Sequence, residues 1–390
     1  MPPAPNLASL PGLDPSRPNV LCLNSLQFNR DVTKLIAHGR RFAYPTFPDT
    51  LLIDAQKDWM PAEMQVQSLY VNFEGPEVDQ IWVMAKQLAI QIIEDIRASG
   101  INVVAVLAAN WDYWHEEAFR RACLKLGLPF LVLLREHFLT AHGYQENEEY
   151  FAMVRRIPEV TAVAMAGPAT LDIFTRLNLF PHTPLRLTGW PRLDAWRRPA
   201  QPAYDRPIVL MAYYKGYGAD RHFIDVVVPL FAGLAARYPH VPFLLKAKHW
   251  GEQQILSKVA GPHVQVIDTL DLPSVLCNAR MVIGDNSMIM FEALLSPARI
   301  LIPFWGEANR EPKTMAPSPG DGRLGEHVTF VQSAGDFCRR IHEAATGDTP
   351  APDMAARIAL FGQYFSFDPQ YSCVARVEDF IAEFTGATNP

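Results

Sequence analysis

The chain has 390 residues and a formal net charge of -6, with 49% hydrophobic and 19% charged residues. This length suits two domains of ordinary size, and the composition supplies enough apolar side chains for two cores. A net negative charge does not favour non-specific binding to nucleic acid, so we expect no nucleic-acid partner.

Three features of the sequence bear on location. The five cysteines are scattered without a C-x-x-C pair, which argues against a disulfide framework and fits a reducing compartment. The proline-rich N-terminus lacks the basic and apolar segments of a signal peptide. No stretch approaches the ~18 apolar residues of a membrane span. We therefore expect a cytoplasmic protein, and a peripheral contact with the inner face of the membrane is left open.

Strand-like and helix-like segments alternate through the first half of the chain. Apolar, β-branched runs predict strands, and amphipathic segments that stop at Gly or Pro predict helices. This alternation is typical of a parallel sheet covered by helices. The predicted strands are residues 20–23, 101–110, 129–134 and 161–165, and the predicted helices are residues 24–37 (with a loop), 82–98, 115–127 and 168–177.

A proline-containing segment interrupts the alternation at residues 188–207, which predicts an interdomain linker at 189–206. The α/β pattern then restarts and predicts a second domain. Its last segment, residues 373–384, has helical apolar spacing and could pack back across the domain boundary. The predicted strands here are residues 208–214, 241–250, 264–268, 281–286 and 298–304, and the predicted helices are residues 225–239, 272–279 and 287–296.

The stretch MVIGDNSMIMFEAL places polar residues at the end of a predicted buried strand. Asp285, Asn286 and Ser287 lie where the strand meets the next helix. Ser287 is a plausible N-cap, and a helix N-terminus favours an anion such as phosphate. Glu292, further along that helix, could accept hydrogen bonds from sugar hydroxyls. An ordinary capped helix with one solvated glutamate fits the same residues equally well.

Two further groups of cations follow predicted strands of the second domain. Lys246, Lys248 and His249 could neutralise the charge of a diphosphate. Lys215 lies in a loop with two glycines that would let the backbone approach a phosphate. A surface loop explains this second group equally well, since a lone G-x-G is weak support.

In the first domain, polar residues follow two neighbouring strands. Asp112 comes after one strand, and Glu136 and His137 come directly after the next. A carboxylate or imidazole at a strand end can act as a general base that takes a proton from a substrate hydroxyl, and these three residues are the candidates, with Glu136 first. An ion pair between Glu136 and Arg135 is the alternative. The nearby aromatic residues, which could stack on a sugar or pack against protein, are Trp111, Tyr113 and Trp114.

Residues 188–304 resemble the C-terminal domain of GT-B glycosyltransferases. The likeness is greatest to the group that contains CDP-glycerol glycerophosphotransferases and bacterial capsule, surface-polysaccharide and lipopolysaccharide transferases. This chain differs in having Asn286 and Met288 where that group often has a second serine. UDP-sugar 2-epimerases share much of the pattern. The matching positions are Gly189, Pro191 and Asp194 of a G-x-P-x-x-D segment, Lys246 to His249, Asp271-Leu272, Asp285, Ser287, Glu292 and Ser296-Pro297.

The resemblance implies a fold of two Rossmann-like α/β domains with a cleft between them and a C-terminal helix that packs back. Residues 1–188 would bind a glycan or lipid-linked acceptor and residues 207–390 a nucleotide-sugar donor, with hinging near Gly189. The sequence contains no HExxH and no Asp-x-Asp at a strand end, so we expect no metal. The donor would be a substrate, and no cofactor is implied.

The expected function is therefore glycosyl transfer from a nucleotide donor to a surface polysaccharide or lipid-linked glycan. A non-hydrolysing nucleotide-sugar 2-epimerase is one alternative, because it uses the same fold without an acceptor. A non-catalytic glycan-assembly protein that retains the fold is the other.

Overall fold

The apolar runs form the strands of two parallel six-stranded sheets with flanking helices, as the alternation predicts. The computed structural model describes residues 10–24, 28–48, 61, 75–111, 113–135, 140–153, 159–197, 206–211, 223–247, 250–269, 271–285, 287–306, 316–347 and 352–386.

The first sheet has the strand order β2-β1-β3-β4-β5-β6, and every neighbouring pair is parallel. The order reverses between β1 and β3, so the carboxyl ends of these two strands flank the switch point of this sheet. Its strands are β1 (Asn19–Asn24), β2 (Thr46–Pro48), β3 (Val103–Ala108), β4 (Phe130–Leu133), β5 (Ala162–Met165) and β6 (Leu185–Leu187).

The second sheet has the order β9-β8-β7-β10-β11-β12, again with all pairs parallel. This is the strand order of a Rossmann dinucleotide-binding sheet, with its switch point between β7 and β10. Its strands are β7 (Ile208–Met211), β8 (Phe243–Lys246), β9 (Gln265–Ile267), β10 (Met281–Gly284), β11 (Arg299–Pro303) and β12 (Thr329–Val331).

Helices connect the strands of each sheet. Two of them begin at a proline and a third has a proline as its second residue, where the missing N–H removes one of the donors that would lack a partner in the first turn. No helix in the described part of the chain is long and apolar enough to cross a membrane. The helices are α1 (Asn29–His38), α2 (Pro76–Ala98), α3 (Trp114–Leu126), α4 (Ala141–Met153), α5 (Pro168–Arg176), α6 (Val228–Arg237), α7 (Trp250–Ala260), α8 (Leu272–Cys277), α9 (Ile289–Glu292), α10 (Arg323–Glu326), α11 (Ala334–Thr346), α12 (Met354–Tyr364) and α13 (Cys373–Thr385).

The chain divides into two compact units. The first comprises residues 1–137, 147–197 and 364–390, and the second comprises residues 138–146 and 198–363. These units differ from the predicted domains in two main places. Residues 189–197 were expected in the linker and the segment after residue 363 in the second domain, but both belong to the first unit.

The C-terminal helix α13 explains the second difference. Its apolar face carries Val374, Val377, Phe380 and Ile381, which are buried in the same core as strands β1, β3, β4 and β5. The expected packing back of this helix is therefore confirmed. The core of the second unit is separate and consists of side chains from its own sheet and helices.

The G-x-P-x-x-D segment explains the first difference. Gly189 has a φ of 71°, and a Cβ there would lie 2.6 Å from the carbonyl oxygen of Ser366. Trp190 is buried, its ring centroid 5.2 Å from that of Phe365. Asp194 accepts hydrogen bonds from the backbone N–H groups of Cys373 and Val374 at the start of α13. The segment anchors the C-terminal part of the chain within the first unit.

Candidate functional site

The carboxyl ends of β8, β7 and β10 lie side by side in the second unit. Gly284 is in register with Met211, and Met211 is in register with Lys246. Since neighbouring strands are about 4.8 Å apart, the backbones of Lys246 and Gly284 are about 10 Å apart at this edge. The switch point between β7 and β10 is included, and ligands of open α/β sheets bind outside such strand ends.

Three of the predicted site residues at or after these strand ends carry buried charged groups. Lys246 is 5% exposed, Asp285 is 9% exposed and Glu292 is 2% exposed. The Lys246 Nζ donates a hydrogen bond to the carbonyl oxygen of Ala247. Buried charged groups that follow the carboxyl ends of parallel strands in an open α/β sheet mark a candidate functional site.

The helix after β10 is much shorter than the sequence predicts. Helix α9 spans only Ile289–Glu292 and continues as a 3-10 turn at Ala293–Leu295. Its N-cap position is Met288, and no side chain caps it. The prediction that Ser287 is the N-cap is therefore wrong, because the helix begins at Ile289 and the N-cap position is Met288. The N–H of Met290 donates to the Ser287 carbonyl oxygen, and those of Phe291 and Glu292 donate to that of Met288. A ligand contact from Ser287 stays a prediction.

Gly284 is required by close packing at the end of β10. A Cβ at this position would lie 2.1 Å from the Sδ of Met290, which is fully buried. Met290 therefore folds over Gly284, and this contact holds the loop that carries Asp285 against the strand end.

We expect Gly284→Ala to lower the free energy of unfolding by about 1–3 kcal/mol, because Met290 must move within a packed core. Met290→Ala removes the colliding sulfur but leaves a cavity that costs about 2–5 kcal/mol. The double variant should lose less free energy of unfolding than the sum of the two single losses, as measured by denaturant unfolding. Gly233→Ala in α6 is the control, since a Cβ there meets nothing within 4 Å. Additive effects of the two substitutions would contradict the contact.

Two other motif positions have structural roles. Asp271 caps α8, accepting hydrogen bonds from the backbone N–H and hydroxyl of Ser274. Ser296 is buried, and its hydroxyl donates to the carbonyl oxygen of Ala293, which closes the turn before β11. Both positions therefore stabilise local turns and helix ends in the second unit.

In the first unit, the strand ends before two of the predicted bases are joined. The backbone N–H of Arg135, which follows β4, donates to the carbonyl oxygen of Ala109, which follows β3, at 3.0 Å. Asp112 and Glu136 come shortly after these two residues, so the chain enters both positions from adjacent points at one edge of the sheet. Asn110 is buried, and its side-chain oxygen accepts the backbone N–H of Trp111.

The structure assigns the nearby tryptophans to packing. Trp111 is buried, its ring 5.6 Å from that of Phe180 in a T-shaped arrangement, and Trp114 is also buried. Neither presents a free face for a sugar, so that interpretation is wrong for both. Tyr113 is half-buried, and the guanidinium of Arg135 lies 5.9 Å from its ring centroid.

His115 is a candidate that the sequence analysis did not choose as a base. Both ring nitrogens are buried and have no hydrogen-bond partner among the described residues. Burial lowers the pKa of this imidazole to about 4, so the ring is neutral at pH 7. A neutral imidazole with two unused nitrogens, three residues from Asp112, could bind a ligand hydroxyl. The signal in the sequence was its place at the start of the helix after β3.

The remaining predicted site residues lie outside the described part of the chain, so their roles stay predictions. Within the described residues, no group of three or more His, Cys, Asp or Glu side chains could hold a metal ion. The residues outside are Asp112, Glu136 and His137 of the first unit and Lys215, Lys248, His249 and Asn286 of the second.

No protein-family model matches this sequence, and no curated protein matches it. Solved structures match over nearly the whole chain. UDP-GlcNAc 2-epimerase from Methanocaldococcus jannaschii matches with a TM-score of 0.52 and 9% identity, over 93% of this chain and 99% of that chain. UGT89C1 from Arabidopsis thaliana matches with a TM-score of 0.53 and 10% identity, over 95% and 100%. MnaA from S. aureus with UDP matches with a TM-score of 0.53 and 10% identity, over 95% and 98%.

These neighbours include UDP-GlcNAc 2-epimerase, and their match over nearly the whole chain shows a common fold. The chain has the GT-B fold. In this chain Lys246 ends β8 and Asp285 follows β10, on either side of β7 at the carboxyl edge of the second sheet.

Proposed function

We propose that this protein is a metal-independent glycosyltransferase that moves a sugar from a nucleotide donor to a surface-polysaccharide or lipid-linked glycan. Within this class of enzymes, we propose that the protein belongs with the group that its sequence resembles, which contains the CDP-glycerol transferases and capsule transferases. It needs no cofactor besides the donor, and the expected place of action is the cytoplasm, at the inner face of the membrane.

The observation that carries this proposal is the pair of buried charges, Lys246 and Asp285, at the carboxyl edge of the second sheet, followed by the buried Glu292 on α9. A cation at Lys246 suits a diphosphate, and carboxylates at Asp285 and Glu292 suit hydroxyls of ribose or sugar. The likeness of MnaA in complex with UDP supports a uridine nucleotide as the first donor to test.

The proposed roles divide between the two units. In the second, Lys246, Lys248, His249 and Lys215 would neutralise phosphate charge, while Asp285, Asn286, Ser287 and Glu292 would bind hydroxyls. In the first, one of Glu136, Asp112 and His137 would take the acceptor proton, which is the task of a general base.

We expect Glu292→Ala to weaken nucleotide binding by roughly tenfold to a hundredfold, because a hydrogen bond to a charged group contributes about 1.5–3 kcal/mol. A thermal-shift screen against CMP, CDP, UDP and GDP would choose the nucleotide, since a ligand of the native state raises the melting temperature. Calorimetric titration of the wild type and the variant then measures the loss.

Two controls make this test specific. Glu326→Ala, an exposed glutamate on α10, should keep the wild-type affinity, and thermal melts should show that Glu292→Ala remains folded. Glu136→Ala should bind the nucleotide normally and abolish transfer. Unchanged affinity in a folded Glu292→Ala protein would contradict the site assignment.

A 2-epimerase is the second candidate, because UDP-GlcNAc 2-epimerase is among the structures of the same fold. The two functions differ in their need for an acceptor. Incubation with UDP-N-acetylglucosamine alone, followed by proton NMR, should leave the donor unchanged if the protein is a transferase. Formation of the C2 epimer would establish the second candidate.

In-cell function that survives Ala substitution at Glu136 and Asp112 would favour the non-catalytic alternative.

A further inference from the structure

A polar cavity lies at the amino-terminal edge of the second sheet, opposite the carboxyl edge that carries the candidate site. It has a volume of about 250 Å³ and is lined by Met281, Arg299 and Thr329, the first residues of β10, β11 and β12. Met281 and Asp285 are four residues apart along an extended strand, a distance of ~13 Å. Because the strands are parallel, this amino-terminal edge is separate from the carboxyl edge that carries the candidate nucleotide site.

The titratable side chains that line this cavity are all basic. They are Arg299, His327, Arg340 and Arg357, and no carboxylate is among the lining residues. In the described part of the chain, neither Arg299 nor Arg357 forms an ion pair with a carboxylate. The cavity therefore concentrates positive charge that its own walls do not neutralise.

Arg340 has only weak partners. Its Nη1 is 3.5 Å from Glu343 and its Nε is 3.7 Å from Asp336. Arg339, which does not line the cavity, also pairs with both carboxylates and lies 2.7 Å from Glu343. Because Asp336 and Glu343 already form ion pairs with Arg339, Arg340 keeps most of its capacity to bind an anion.

Arg357 is buried, with 4% of its surface exposed, and its bonds go to neutral groups. Its Nη1 donates to the carbonyl oxygens of Ser296 and Ala298, and its Nη2 donates to that of His327. The Nε is buried without a partner among the described residues. A buried guanidinium that meets only carbonyl groups lacks the compensating charge that buried ions normally have.

The pKa values of three groups around the cavity are lowered, chiefly by burial. Burial, without a carboxylate partner, lowers the pKa of Arg357 to about 10. Burial also lowers the pKa of His327, and the charge of Arg357 lowers it further, while Glu326 and Asp353 act in the opposite direction. Burial lowers the pKa of Arg299, the charge of Glu343 acts in the opposite direction, and the charge of Arg340 lowers it further. A bound anion would favour the charged form of all three groups.

We infer that this cavity binds a small phosphate-type oxyanion, such as inorganic phosphate or pyrophosphate, held by Arg299, Arg340 and Arg357. Guanidinium groups match the oxygens of a phosphate in paired hydrogen bonds. The volume is below the roughly 300–1,000 Å³ of pockets for drug-sized ligands, so it suits a small anion rather than a nucleotide sugar. This site is independent of the proposed transfer reaction.

Calorimetric titration and thermal melts with inorganic phosphate and pyrophosphate, at constant ionic strength set with chloride, test the site. We expect saturable binding to the wild type, weakened by about tenfold or more in Arg340→Gln and in Arg299→Gln. The matched control is Arg339→Gln, which removes the same charge from the neighbouring position and should keep the wild-type affinity. If Arg299→Gln does not fold, Arg340→Gln decides.

Three results would overturn the inference. They are the absence of saturable phosphate and pyrophosphate binding, an equal loss in Arg339→Gln and Arg340→Gln, and an equal stabilisation by chloride alone. Lys246→Met, at the other edge of the sheet, separates this site from the nucleotide site. Lys246→Met should bind phosphate with the wild-type affinity. If Lys246→Met instead loses phosphate binding while Arg340→Gln keeps it, the anion binds at Lys246 and the inference is wrong.

Discussion

Glu378→Ala is expected to lower the free energy of unfolding of the first unit by about 3–5 kcal/mol. The Glu378 Oε1 accepts hydrogen bonds from the backbone N–H groups of Arg40 and Arg41, both at 2.9 Å, and from the Tyr44 hydroxyl at 3.1 Å. Phe42 N–H donates to the same oxygen at 3.4 Å. Removing one carboxylate would leave four donors without their acceptor at a buried junction between α13 and the chain after α1.

Chemical denaturation followed by circular dichroism measures this loss. Glu383→Ala on the same helix is the matched control, because its ion pair with Arg186 is exposed and such pairs contribute about 0–1 kcal/mol. Glu378→Gln keeps an acceptor oxygen and should be intermediate. If Glu378→Ala were no less stable than Glu383→Ala, the carboxylate would not have the structural role assigned to it.

Asp31→Ala is expected to cost about 3–5 kcal/mol, because it leaves a buried guanidinium without its counterion. The Asp31 Oδ2 lies 2.6 Å from the Nη1 of Arg192, and the two side chains are 1% and 9% exposed. The Oδ1 of Asp31 accepts the backbone N–H of Arg192 at 3.0 Å. The guanidinium also lies over Trp190, 3.7 Å from its ring centroid, so it cannot move to water without losing that contact.

A double-mutant cycle separates the buried charge from lost packing. Arg192→Met keeps an apolar stem over Trp190, so Asp31→Ala combined with Arg192→Met should be more stable than Asp31→Ala alone. The control is Asp172→Ala, which breaks an exposed ion pair with Arg176 on α5. Equal stability of the double variant and Asp31→Ala would show that the unpaired charge is not the cause.

Much of the fold follows from local patterns in the sequence. The apolar runs became β1, β3, β4, β5, β7, β8, β10 and β11, because a strand buried on both faces needs consecutive apolar residues. Of the four strands with three residues each, β9 was predicted, whereas β2, β6 and β12 were missed because so few residues carry little periodicity. Residues 189–197 were assigned to the linker for their prolines. Their partners lie more than a hundred residues away along the chain, at Asp31 and Cys373, so local pattern could not identify them.

The assignment of the candidate site stays a prediction. Polar residues after apolar runs predicted that Lys246 and Asp285 follow strands, and the structure places them at the ends of β8 and β10, where both are buried. The spacing of SMIMFEALLS predicted a full helix, but Met290 packs over Gly284 and the helix changes to a 3-10 turn after one turn. The spacing of the arginines gave no signal of the second cavity, because residues 299, 340 and 357 meet only through tertiary packing.

The position of α13 has a consequence for how the protein is made. The ribosome synthesises the first unit's strands early but its covering helix last, after the whole of the second unit has emerged. The nascent second unit can therefore complete its core first. Until α13 is synthesised, apolar residues of β1 and β3 lack the side chains that pack against them, which are Val374, Val377, Phe380 and Ile381. A premature stop before Ser372 would thus yield a chain with a complete second unit. The apolar core residues of its first unit would be exposed to chaperones and proteases.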